Sequence, residues 1–279
     1  MSKNKFEPWL SRWNLIPDGL PFMTHTSQFL PVKTLIGGKQ AMLKITEDQE
    51  EQRGNTLMVW WEGNGAARVI AHDNEAILLE RATGSASLYT LSREGQDTKA
   101  CNILCLTANR LHGCQKQPLP QLTPLHDWFR SLKPAARLYG GILKDCAEIS
   151  DELLSSPQDV TTLHGDLHHG NVLDFGVSGW QAIDPKGLRG ERGFDYANIF
   201  TNPDLANPDY GIAVVPEIFK QRLKMVTVTA DLDRKRLLMW ICAWCGLSAA
   251  WTLESNGTVS VATKVAELAI CELRNGTAN

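Results

Sequence analysis

An α+β chain in two lobes is what this sequence predicts: a small N-terminal antiparallel sheet lobe over residues 1–82 and a larger, mostly helical lobe over residues 83–279. Three observations predict it. Strand-like runs concentrate between Gln28 and Glu80 around a single helical stretch. Beyond Gly84 the apolar pattern turns mostly helical, apart from one short hairpin. At 279 residues, 43% of them hydrophobic, the chain is long for one simple domain and has enough apolar surface for a full core.

Residues 29–36 form the first strand candidate, with Pro31 suggesting an edge or a bulge. Gly37-Gly38 turns the chain into a strand over 41–45, where Lys44 interrupts an apolar run. Residues 47–61 have helical spacing, and 68–72 with 76–80 form a hairpin around Asp73-Asn74. A hinge follows between Glu80 and Gly84. In the second lobe, residues 161–163 are β-prone and Gly165 permits a sharp turn. Residues 172–175 and 180–183 are two short arms closed by Gly176-Val177-Ser178-Gly179. Residues 237–253 are nearly apolar and approach membrane-spanning length. Gly246, Ser248 and the charged lead-in from Asp231 to Arg236 favour the central helix of the large lobe. The Cys242-Ala243-Trp244-Cys245 inside it reads as core cysteines, since no second pair completes a zinc site.

The segment His164-Gly165-Asp166-Leu167-His168-His169-Gly170-Asn171, with Asp184 after the hairpin, carries the chemistry. Phosphoryl transfer from a nucleotide needs one carboxylate for the acceptor hydroxyl and two oxygen ligands for Mg²⁺. Asp166 is the catalytic candidate, and Asn171 and Asp184 are the metal candidates. A hairpin brings its ends together, so the three side chains can converge on one cation. Protein kinases use H-R-D-x-x-x-x-N and a later D-F-G. Here Gly165 replaces the arginine and Pro185 follows the second aspartate.

The nucleotide side follows from the first lobe. Lys44 is the candidate for the α- and β-phosphates of ATP, with GTP as the alternative nucleotide. A lysine inside a buried strand is costly unless paired, and Glu47, Glu50 and Glu51 follow on the helix. Glu51 is the first choice and Glu50 the second; the alternative is a solvated Lys44 on an edge face. Thr26 and Ser27, in a loop without a Gly-rich pattern, can donate to phosphate oxygens. Main-chain groups near Glu80 and Ala82 are placed to meet the adenine.

Rival readings exist. Asp and Asn also make ordinary turns. His164, Asp166, His168 and His169 form a dense ligand cluster that would suit a metallohydrolase, but His25, His72, His112 and His126 show no paired spacing. A nucleotide-binding protein without transfer is disfavoured because Lys44, Asp166, Asn171 and Asp184 are all present.

Formal net charge is −3, which leaves no basic footprint for nucleic acid and fits a small cationic substrate. Residues 1–8 lack the apolar core of a secretory signal. Seven cysteines at irregular spacings read as reduced thiols in a cytoplasmic protein without a membrane anchor. No pattern bears on oligomeric state.

Beyond the catalytic motif, the informative blocks are Ala41-Met42-Leu43-Lys44, Arg53-Gly54, Asp184-Pro185-Lys186-Gly187-Leu188-Arg189-Gly190-Glu191, Phe194-Asp195-Tyr196-Ala197-Asn198 and Leu247-Ser248-Ala249-Ala250-Trp251. With them, the chain resembles the streptomycin 6-phosphotransferase and hydroxyurea-kinase family of the aminoglycoside phosphotransferase superfamily. The resemblance implies a bilobal protein-kinase-like fold, a catalytic Asp166, Mg²⁺ on Asn171 and Asp184, nucleotide on Lys44, and transfer to a hydroxyl of a streptomycin-type aminoglycoside. A kinase of another small hydroxylated metabolite is the alternative. Asp195 either holds the catalytic loop, the favoured reading, or faces a cationic substrate. Glu191, Asp195, Asp204, Glu217 and Glu254 are the carboxylate candidates for guanidinium groups of the acceptor.

Overall fold

The computed structural model describes residues 5–114 and 116–276. The first four residues, part of the stretch read above as lacking a signal, lie outside the described residues, as do the chain's last three. Helix α1 (Glu7–Arg12) precedes strands β1 (Leu15–Pro17), β2 (Phe22–Met23), β3 (Ser27–Thr34) and β4 (Gln40–Thr46). Helix α2 (Gln49–Trp61) then leads to β5 (Val69–His72) and β6 (Ala76–Glu80). These strands form one antiparallel sheet of order β1-β3-β4-β6-β5, with β2 beside β3.

Period-two alternation gives this sheet two different faces. Leu30, Val32, Ala41, Leu43, Ile45, Ala76 and Leu78 pack with Phe6, which caps α1, and with Leu10 of α1 on one face. On the other, Ile77 and Leu79 meet Leu57, Met58 and Trp61 of α2, and Lys44 emerges among them, paired across the strands with Phe29 and Ile77. Pro31 lies neither at an edge nor in a bulge: it sits where the neighbour of β3 changes from β2 to β1, so its missing N–H is not needed there.

The rest of the chain runs α3 (Leu88–Arg93), α4 (Asp97–His112), β7 (Thr123–Pro124), α5 (Leu125–Trp128), α6 (Leu132–Tyr139), α7 (Ile142–Ser155) and β8 (Val160–Leu163). Then come β9 (Val172–Asp174), β10 (Trp180–Ala182), β11 (Leu188–Glu191), α8 (Gly193–Ala197), α9 (Pro216–Thr229), α10 (Arg234–Glu254) and α11 (Ser260–Gly276). α10 is the apolar helix; every residue from Leu237 to Ala250 is buried against its neighbours α7, α8 and α11, so its hydrophobicity serves the core. Cys242 and Cys245 are free buried thiols within it. β9 and β10 form an antiparallel hairpin, and β11 pairs antiparallel with β8 and parallel with β7. Those two small sheets suspend the loop between β8 and β9 at the mouth of the helical region.

Candidate active site

Lys44 is only 3% exposed, and a lysine so deep must be paired. Its Nζ donates to Glu51 Oε2 and, at 2.5 Å, to Asp184 Oδ1. Asp48 selects Glu51: its carboxylate caps α2, accepting from the Glu50 and Glu51 N–H groups at 2.8 and 3.1 Å. The helix therefore starts two residues later than its spacing suggests, leaving Glu47 exposed and turning Glu51 inward. Glu50 faces Lys186, whose Nζ lies 3.4 Å from Glu50 Oε1 and 3.2 Å from Glu51 Oε1.

The catalytic loop is held from below. Gly165 has φ +85°, and a Cβ there would lie 2.7 Å from the Leu188 side chain. Asp195 accepts from the His164 and Gly165 N–H groups, each at 2.8 Å, and meets His112 Nε2 at 2.8 Å. Asp195 is thus the anchor of the loop and does not face a substrate. His164 Nδ1 accepts from the Asp166 N–H at 3.2 Å, and its Nε2 donates to Ile183 O at 2.9 Å, tying the loop to the end of the hairpin. Burial lowers the His164 pKa, so the neutral ring with Nε2–H is the form that satisfies both contacts.

Two asparagines bracket the Asp166 carboxylate: Asn171 Nδ2 donates to Oδ2 at 3.2 Å and Asn198 Nδ2 to Oδ1 at 3.0 Å. Asn198 escaped the sequence reading. Its one signal is a position three residues after Asp195, which puts both on the same face of a helical turn. Burial alone would raise the Asp166 pKa, but His168 and Lys186 outweigh it and hold the carboxyl below its ordinary value.

Asn171 immediately precedes β9 and its main-chain O accepts from the Ile183 N–H at 2.9 Å, so Asp184 leaves the hairpin right beside it. Asp184 has φ +61°, an uncommon conformation for a residue with a Cβ. Asn171 Nδ2 also donates to Asp166 O at 2.9 Å, which commits the amide nitrogen and leaves the side-chain oxygen uncommitted. An amide oxygen beside a carboxylate is a hard oxygen set that fits Mg²⁺. Behind it the backbones nearly touch: a Cβ on Gly54 would lie 1.9 Å from Pro185 O. The Arg-Gly of α2 and the Asp-Pro after the hairpin are therefore one packing unit.

A cavity of about 580 Å³ opens beside Asp166, between α2, the β7–α5 segment and α10. Its lining includes Glu50, Asp127, Trp128, Lys186, Trp251 and Glu254. Of the five acidic candidates only Glu254 is there. Glu191 pairs with Arg236 at 2.6 Å and Trp240 Nε1 at 2.7 Å, Asp204 accepts from the Ile212 and Ala213 N–H groups at 3.0 Å, and Glu217 is exposed on α9. Asp127 and Glu50 take their place, brought in by segments whose approach no local pattern encodes.

The family model for aminoglycoside/hydroxyurea antibiotic resistance kinases matches residues 12–256. The chain belongs to that family. A streptomycin 3''-kinase of Klebsiella pneumoniae is 49% identical over 242 residues, covering 87% of this chain and 90% of that protein. A streptomycin 6-kinase of Streptomyces griseus is 28% identical over 275 residues, covering 92% and 85%. In fold, the chain is similar to an aminoglycoside phosphotransferase solved as a thermostable mutant with ADP and hygromycin B, with TM-score 0.65, 12% identity and 99% of both chains covered. The molecule is thus a resistance-type phosphotransferase with an alcohol acceptor on a protein-kinase-like α+β fold.

The remaining expected residues of this kinase are placed unevenly. The Thr24–Ser27 turn closes on itself: Thr24 N–H donates to Ser27 O at 2.9 Å, and Ser27 N–H to Thr24 Oγ1 at 3.2 Å. Ser27 is buried, so its N–H is not a free phosphate donor, while Thr26 O accepts from Thr46 Oγ1 at 2.8 Å. Glu80 N–H donates to Arg68 O at 2.8 Å, and Ala82 packs against the main core. His169, a member of the histidine cluster in this loop, is buried, stacked at 5.9 Å on Tyr89, and burial pushes its pKa well down. Among the described residues no group of three or more His, Cys, Asp or Glu is disposed to hold a metal, and the family match favours phosphotransfer over the metallohydrolase reading.

Proposed function

We propose that this kinase transfers the γ-phosphoryl group of ATP, taken as its magnesium complex, to the 3''-hydroxyl of streptomycin. The position of Asp166 carries this reading: it lines the cavity on one side and is tied to Asn171, next to Asp184, on the other. An alcohol in the cavity meets this carboxylate with its oxygen toward the nucleotide. Asp166 orients that hydroxyl and takes its proton as the new O–P bond forms and the bond to the ADP oxygen breaks. Lys44, fixed by Glu51, binds the α- and β-phosphates. Asn171 and Asp184 hold Mg²⁺, which offsets the phosphate charge. Thr26 and the Ser27 hydroxyl lie at the phosphate end, and main chain near Glu80 and Ala82 meets the adenine.

Glu50, Asp127 and Glu254 make the cavity receptive to guanidinium groups, and Trp128 and Trp251, 5.5 Å apart and edge to face, offer them π surfaces. Among the relatives, the one named a 3''-kinase is 49% identical and one named a 6-kinase 28%, which supports the 3'' position. The free cysteines fit work in the cytoplasm. The test is to incubate purified enzyme with streptomycin and Mg·ATP or Mg·GTP and locate the phosphate by NMR. Phosphate on the 3''-oxygen with ATP preferred is expected. Phosphate on the 6-oxygen would correct the site of transfer. Transfer only to an unrelated small alcohol would reject the antibiotic substrate.

A further inference from the structure

Lys186 has no part in the reaction as assigned above, yet it occupies its centre. Its main-chain N–H donates to His164 O at 2.7 Å, and its side chain lines the acceptor cavity beside Asp166. An ammonium there repels a cationic acceptor, so a lysine that only filled space would weaken binding. Glu51 is shared: Lys44 takes Oε2 from the nucleotide side and Lys186 approaches Oε1 from the acceptor side. The two lysines are not equivalent. Lys44 is sealed, with a side chain 4% exposed, whereas that of Lys186 is 21% exposed and its two carboxylate contacts are the longer ones, at 3.2 and 3.4 Å. An ammonium has three donors. One donates to Glu51 Oε1 at 3.2 Å, Glu50 Oε1 lies within ion-pair distance at 3.4 Å, and the side chain lines the cavity, so donor capacity remains for a ligand there.

We propose that Lys186 is a catalytic residue whose ammonium binds the equatorial oxygens of the phosphoryl group in transit, from the acceptor side and opposite Lys44. The inference rests on the phosphotransfer reading above. As the acceptor O–P bond forms and the P–O bond to ADP breaks, the electron pair leaves with ADP and the hydroxyl proton goes to Asp166. Lys186 exchanges no proton. Negative charge is spread over three oxygens of a loose transition state, and a fixed cation close to them lowers its energy. The carboxylates of Glu51 and Glu50, 3.2 and 3.4 Å from the ammonium, keep it in place beside the cavity.

The test compares Lys186→Met, Lys186→Arg and the double variant Glu50→Gln/Lys186→Met with wild type. Transfer to streptomycin is measured, as is slow ATP hydrolysis with water as acceptor, so that a wrong acceptor leaves the readout intact. Lys186→Met should lower kcat in both assays by about 10²–10³-fold, with Mg·ADP affinity and Tm near wild type. It should also lose affinity for ADP with aluminium fluoride, a mimic of the planar phosphoryl group. Lys186→Arg should recover part of both. Any of three results overturns the proposal: kcat within about threefold of wild type, an equal loss of affinity for ADP alone, or recovery of activity in the double variant. The last two would show that Lys186 only neutralises Glu50 and Glu51.

Discussion

Two buried charge clusters in this molecule look alike in composition and behave differently. Around Arg222 four of the five guanidinium donors are answered inside the protein: Nε and Nη2 reach Asp97 at 2.9 and 2.6 Å, and Nη1 reaches Ile199 O and Asn202 O at 2.7 and 2.6 Å. Around Glu51 the charges answer one another only partly: Asp184 stays about one-third exposed, Lys186 is open to the cavity, and Asp166 faces it. A closed network spends its capacity on holding α4, α9 and the α8–α9 link together. An open one keeps lone pairs and donors for a ligand. Burial and charge alone do not distinguish a site from a brace; unspent valence does.

The comparison can be broken most decisively at Asp166. Asp166→Ala should slow transfer by about 10²–10⁴-fold, roughly 3–5 kcal/mol in barrier, while Tm moves little. Near-normal turnover would move the open cluster to the same class as the closed one. The mirror experiment is Arg222→Met, which strands Asp97 in the interior and should cost about 3–5 kcal/mol of stability. Denaturant unfolding measures it, and kcat per folded molecule should stay the same. A lower kcat at unchanged stability would make Arg222 part of the site.

Asn198 sharpens the boundary, since it belongs to the site through its contact with Asp166 and to the frame through Asn202. Asn198→Ala should lower kcat about tenfold, near 1.4 kcal/mol, without changing nucleotide affinity. It also has a pH signature. Because the Asp166 pKa is lowered, the carboxylate that transfer needs is present above that pKa and is lost only as pH falls through it. The acid limb of kcat/KM should therefore lie below about pH 4, the ordinary carboxylate range. Removing the Asn198 donor destabilises the charged form and should move the limb upward; a downward move would contradict the assignment. The smallest effect is expected at the cavity rim, where Glu254→Gln should raise the KM for streptomycin severalfold, about 1 kcal/mol, with kcat unchanged.

Much of the site could be read from the chain because it is local. Asp166, Asn171 and Asp184 lie within twenty residues, and a hairpin with glycine at its turn brings such residues together by itself. Lys44 was readable from a cost: an ammonium in an apolar strand demands a carboxylate, and the segment that follows supplies three, two of them on α2. The strand, strand, helix, strand, strand order from Ser27 to Glu80 and the central burial of α10 followed from periodicity, whereas α1, β1 and β2 did not.

The rest depends on contacts between distant segments, where spacing carries no information. Which glutamate pairs with Lys44 was decided by the Asp48 cap and by Lys186, 135 residues from Glu51. His169 turned inward because Tyr89 offered it a ring to stack on, and Ser27 lost its N–H to Thr24. Asp127, Glu50 and Glu254 became one cavity wall only when α5, α2 and α10 packed around the catalytic loop. The sequence by itself determined the fold class and the grouping of Asp166, Asn171 and Asp184, because each is encoded within one or two adjacent elements. Only tertiary packing decided the acceptor wall, Asn198 and the place of Lys186, because the energy of a side chain there depends on which remote backbone closes over it.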